Sequence, residues 1–274
     1  MKSLPVVVVH GVGVGDGKSR AGFSFELRKR VFANESDAAQ FWHECVWEGL
    51  NDTIDKQIVN VVQNLISGYS LPWTVSVGTK RDKIVHFFKA VFANFGLVLG
   101  GGIAEKALDL GLDFVLYLDS AHGDRIRNLL RDKILEVGKS NPDGVVLVAH
   151  SLGSVIAYDV VAEAELNGKP LPVRRLVTFG SPLQWTFELR EAEQKPECSF
   201  KSLGKTRWSN FYYPEDYVSL GKELPTSVFP SVENVRLELP SDSSAAKSHC
   251  AYWSDDEFAS CLQKIVASST DLRT

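Results

Sequence analysis

The chain has 274 residues, 44% hydrophobic and 23% charged, enough to bury a large core without disulfide or metal staples. Its 30 basic and 34 acidic side chains are interspersed and leave a formal net charge of −4, so no basic tail or stripe marks a nucleic-acid surface. The four cysteines, Cys45, Cys198, Cys250 and Cys261, make no C-x-x-C pair, which suits reduced thiols better than a disulfide framework.

After Pro5 comes the β-branched run Val6–Val9, too short for a signal-peptide core and followed by no small-residue cleavage site. It reads as a strand buried on both faces of a parallel sheet, and a cytoplasmic location is the expectation. Ser24–Phe32 has helical spacing, Phe41–Trp47 reads as a second strand and Ile54–Ile66 as an amphipathic helix. Residues 69–120 then break the alternation and are expected to form an insert or cap. Within them the apolar run Ala90–Ile103, broken by Asn94 and glycines, falls short of the ~20 residues of a spanning helix.

A long helix is predicted over Asp124–Val137, stopping at Gly138 before the turn Asn141–Gly144. Val145–Val148 is a third strand and Leu152–Leu166 a helix. Arg175–Phe179, Trp208–Tyr213 and Val235–Leu239 follow as strands, and Asp256–Ala267 as the closing helix. Strands alternating with helices predict one α/β domain over residues 1–274, a doubly wound, mostly parallel sheet with a helical insert before the third strand.

The chemistry centres on Ala149-His150-Ser151-Leu152-Gly153, where a strand runs directly into a helix. A serine on so tight a turn needs small neighbours two residues away, and the new helix brings backbone N–H groups beside its hydroxyl. An N-cap serine is the bland alternative. A nucleophilic serine needs a base, and of six histidines only His249 follows it, in a small-residue loop before the last helix. The acid should follow a strand between the two. Asp216 is preferred there, ahead of its neighbour Glu215 and of Asp242. Two N–H donors for an oxyanion are sought at Leu152, after the serine, and at Val12, in the glycine-rich turn after the first strand.

That same turn suggests phosphate binding, but the spacing fails. Counting back from Gly17-Lys18-Ser19 puts Val12 where a P-loop needs glycine, and Asp16 stands where a dinucleotide fingerprint needs one. No histidines and carboxylates fall at metal-ligand spacing, so neither a cofactor nor a metal is expected.

His10-Gly11 after the first strand, Ala149 to Ser154 at the turn, and Thr178-Phe179-Gly180-Ser181-Pro182-Leu183 resemble lipases and esterases of the α/β-hydrolase superfamily. Asn210–Val218 resembles the segment bearing their acid, and Ser248-His249 their terminal base. The resemblance covers residues 5–20 and 144–266. It departs from the usual pattern at Ala149, normally glycine, and the early first strand implies a compact version without the outer antiparallel strands.

The resemblance implies a Ser151–His249–Asp216 triad forming an acyl-enzyme from a small-molecule acyl ester or lipid. Phe92 and Phe95 in the apolar insert are the candidate substrate-binding residues, and the insert leaves peripheral membrane contact open. The alternative is a catalytically silent member of the fold that binds an acyl ligand or a protein partner.

Overall fold

Four consecutive valines, Val6–Val9, have no exposed surface, as a strand at the centre of a covered parallel sheet requires. This is β1 of a computed structural model that describes residues 3–11, 22–47, 117, 120–184, 186–187, 203–216, 218–241, 243 and 247–267. Among them, β2 (Trp42–Cys45), β3 (Val145–His150), β4 (Val173–Phe179), β5 (Arg207–Tyr212) and β6 (Val232–Arg236) complete a sheet in the order β2-β1-β3-β4-β5-β6. Every pairing is parallel, with Val9 opposite Ala149, Ala149 opposite Thr178, and Phe179 opposite Phe211. The protein is therefore of the α/β class.

Helices cover both faces because the strands are apolar on both. α1 (Phe25–Val31) and α6 (Asp256–Ala267) pack on Val6, Val8, Val146 and Val177 through Leu27, Phe258, Leu262 and Val266. α3 (Ser120–Lys139) and α4 (Leu152–Leu166) pack on the opposite face, on Val7, Leu147 and Leu176, through Ile126, Leu130, Ile134 and Val155. Each such fully buried aliphatic or aromatic side chain contributes about 1.5–3 kcal/mol of transfer free energy. Two short helices, α2 (Glu35–Phe41) and α5 (Ser248–Ala251), join this frame. No helix among the described residues is long and apolar enough to cross a membrane.

Several boundaries differ from the sequence expectation, each for a local reason. α2 was not anticipated; Asn34 caps it by accepting the Asp37 N–H at 2.7 Å, and β2 begins only at Trp42. α3 runs through Gly138 to Lys139, because this glycine serves packing and does not end the helix. A Cβ there would lie 2.5 Å from Pro172 Cγ. The last strand is Val232–Arg236, not Val235–Leu239. Asn234 ties it to Asn210 and to both backbone groups of Leu224, so pairing fixes a register that side-chain alternation did not reveal. The helix expected at Ile54–Ile66 and nearly all of the 69–120 insert lie outside the described residues.

The strand order places β1 and β3 side by side, although the chain leaves them towards opposite edges of the sheet. At such a switch point the loops after the strands diverge and open a crevice at the carboxyl ends. Gly11 and Ser151 occupy that position.

Candidate active site

Ser151 follows β3 directly and takes φ 53° and ψ −130°, a backbone region that few residues other than glycine enter. Holding it there costs about 1–3 kcal/mol, which the surroundings must offset. They do so through a set of hydrogen bonds. The Ser151 N–H donates to the Phe179 carbonyl at 3.1 Å, and its carbonyl accepts the Ser154 N–H at 2.9 Å. Ser154 Oγ also donates to that carbonyl and lies 2.7 Å from Ser181 Oγ, which takes the Leu183 N–H at 3.3 Å.

The small residues around the turn have visible causes. A Cβ on Gly153 would lie 2.5 Å from the His10 carbonyl oxygen and 2.8 Å from that of Val9, so glycine lets α4 start against the end of β1. A Cβ on Gly11 would fall 2.4 Å from Ser151 Cβ. Ala149, buried between Val9 and Thr178, keeps its methyl group without a clash in the place the resemblance gives to glycine.

His249 lies 98 residues beyond Ser151, yet its Nε2 sits 2.9 Å from Ser151 Oγ. The other ring nitrogen, Nδ1, is 3.1 Å from both carboxylate oxygens of Asp216. Asp216 is fully buried, whereas Glu215 is exposed and contributes its carbonyl to Ser248 Oγ at 3.0 Å. Of the two adjacent acids, the structure brings only Asp216 to the imidazole. The third candidate, Asp242, lies outside the described residues. His249 itself is not in a loop as expected but on the single turn α5, followed by the 3-10 turn Tyr252–Ser254.

Burial alone would raise the Asp216 carboxyl pKa. The neighbouring His249, its hydrogen bond, the Tyr252 hydroxyl and the Val218 N–H outweigh it and hold the group below the usual carboxylate range. Tyr252 donates to Asp216 Oδ2 at 2.9 Å and accepts the Tyr213 N–H at 3.0 Å; Val218 donates to Oδ1 at 2.9 Å. Tyr213 in turn donates to Asp255, whose other oxygen caps α6 by accepting the Phe258 N–H at 2.9 Å.

The sequence reading missed three contributors. Tyr252 bears no pattern of its own. Gly180 stands inside the Thr178–Leu183 motif, where nothing in the sequence marks its own part; it has φ 56°, and a Cβ there would stand 3.0 Å from His249 Cε1 and 3.1 Å from Asp216 Oδ2. His150 is buried beside the serine, and its place before Ser151 in the sequence gives no sign of a role.

Leu152 is the first residue of α4, so its N–H is among those that find no carbonyl within the helix. Val12, Phe92 and Phe95 lie outside the described residues. Next to Gly11, His10 stacks on the buried Trp47 at 5.1 Å and meets the edge of Phe23 at 4.9 Å, and Phe23 meets Trp253 at 5.7 Å. Burial pushes the His10 imidazole down to about 4 against the opposing pull of the Gly11 carbonyl and Glu44.

A hydroxyl that can pass its proton to an imidazole, itself braced by a buried carboxylate, is equipped for nucleophilic attack on a carbonyl. The chain matches no known family model and no curated protein sequence.

Proposed function

We propose that the protein is a serine hydrolase of the α/β-hydrolase type that cleaves carboxylic acyl esters. The observation that carries this reading is Ser151 Oγ, 2.9 Å from His249 Nε2, on a strained backbone conformation whose cost in stability points to a use. Ser151 attacks the ester carbonyl while His249 Nε2 takes its proton, and Asp216 stabilises the resulting imidazolium. The N–H of Leu152, and that of Val12 assigned from its place after β1, stabilise the oxyanion. The imidazolium then protonates the departing alkoxide, leaving an acyl group on Ser151 Oγ. Water, deprotonated by the same imidazole, hydrolyses the acyl-enzyme.

A lipid-like acyl group is the substrate this reading favours, from the apolar run Ala90–Ile103 in the sequence and the part-exposed Phe23 and Trp253, whose rings meet edge to face at 5.7 Å. The test is turnover of p-nitrophenyl esters from acetate to palmitate by wild type and Ser151→Ala. Wild type should hydrolyse the series with kcat/KM rising beyond butyrate. The variant should keep its melting temperature and lose about 10³-fold or more in kcat. Hydrolysis by the folded variant would overturn the nucleophile assignment, and preference for acetate would overturn the lipid-like acyl group. A catalytically silent binding protein would turn over none of them.

A further inference from the structure

We infer that His150, the residue before the nucleophile, is a positioning residue that ties the base to the elbow. The inference rests on the serine-hydrolase reading above and adds a part to it. His150 ends β3 and is 5% exposed. Its Nε2 lies 2.8 Å from the main-chain carbonyl oxygen of His249, and its ring packs on the His249 imidazole at 4.6 Å with 33° between planes. Phe179 at 4.9 Å and the edge of Trp253 at 5.1 Å hold the ring from other sides.

The contact has a defined direction. A carbonyl oxygen only accepts, so Nε2 of His150 carries the proton and donates it. A neutral imidazole has one N–H, and this bond uses it. Burial, reinforced by the neighbouring His249, pushes the His150 imidazole down to about 3 against the pull of the carbonyl bond. The ring therefore stays neutral while His249 carries a proton during turnover, and no like charge opposes that step.

The need for such a tie follows from the chain. Nucleophile and base are 98 residues apart, and the base sits on a helix of only four residues. Catalytic geometry must hold to about half an ångström, which one turn of helix does not secure by itself. His150 is bonded covalently to Ser151 and through hydrogen to the backbone of His249, so it links the two reacting groups by a short rigid path. The bond belongs to neither the Ser–His nor the His–Asp contact.

Three variants separate a donor role from simple packing. His150→Phe keeps a ring and loses the N–H. His150→Gln carries an N–H at a reach similar to Nε2, and His150→Asn carries one too short to reach. Each is assayed with p-nitrophenyl butyrate and by the rate of labelling with a fluorophosphonate probe. We expect His150→Phe and His150→Asn to lose about tenfold in kcat and labelling rate with KM within twofold, the size of effect of one lost buried hydrogen bond. His150→Gln should return to within about threefold of wild type. If Phe does not fold, the Gln-to-Asn ratio decides alone: a ratio of three or more supports the tie, and a smaller one overturns it. Equal rates for folded His150→Phe and wild type also overturn it. An unlabelled, inactive wild type instead takes down the hydrolase reading itself.

Discussion

At the scale of single residues, the acid separates cleanly from its neighbour. Asp216 is fully buried and accepts from His249, Tyr252 and Val218, whereas the Glu215 side chain is exposed. Replacing Asp216 by asparagine leaves the shape but offers the imidazole the wrong partner, which turns the ring to an unproductive tautomer. We expect about a 10⁴-fold loss in kcat, with Glu215→Gln within twofold of wild type. Tyr252→Phe removes one of the donors to the carboxylate and should lower kcat by about three- to tenfold in the wild type. In the Asp216→Asn background it should change little, because both act on the same imidazole. Kinetics of the four variants beside wild type check this, and a reversed order for Glu215 and Asp216 would move the acid by one position.

At the scale of elements, the site depends on close approaches between β1, the β3–α4 turn, the end of β4 and α5. Gly180 is where β4 leaves the sheet and passes the His249–Asp216 pair. An alanine there meets both a left-handed backbone and a Cβ 3.0 Å from the imidazole. Gly180→Ala should cost about 1–2 kcal/mol of stability from the backbone alone. It should also lower kcat more than a surface variant of equal stability, measured by urea unfolding beside steady-state kinetics. An unchanged kcat would show that the imidazole has room to spare.

Much of this architecture was readable beforehand. The valine run of β1, the apolar β3 and the helices Leu152–Leu166 and Asp256–Ala267 follow from uniform or periodic burial, and the structure has those two helices at the expected bounds. The meeting of Ser151 and His249 was also legible, because a strand–turn–helix with one later histidine leaves few choices, whereas Asp216 was the preferred of three acids until burial and the contact with the imidazole set it apart from Glu215. The register of β6 was not, since Asn234 fixes it through contacts with residues distant in sequence. Tyr252 and His150 were missed for a similar reason. Their roles depend on which atom faces them across the fold, and spacing along the chain carries no trace of that.

At the scale of the whole molecule, two buried neutral histidines set the response to acid. Burial pushes His10 to about 4 and His150 to about 3, both below the ordinary 6.5 of imidazole. Both protonate readily once unfolded but resist it when folded. Their contribution is therefore fully present above about pH 6.5 and is lost as pH falls towards their folded values. Each can remove up to about 1.4 kcal/mol per pH unit in that window, so the pair steepens the loss to about 2–3 kcal/mol per unit near pH 5. Asp216, held below the usual carboxylate range, adds its own loss at still lower pH. Urea midpoints at pH 7.5, 6 and 5 should fall in that order, with the larger drop between 6 and 5. Equal midpoints at 7.5 and 5 would contradict the burial of neutral imidazoles.

The central claim is that one serine, poised by the fold, is a nucleophile. The most direct measurement is reaction of the native protein with a fluorophosphonate, followed by mass spectrometry of its peptides. The predicted result is one adduct per chain on Ser151, blocked by prior unfolding and absent from Ser151→Ala and His249→Ala. No adduct on the folded protein, or an adduct on Ser154 or Ser181 in its place, would contradict it.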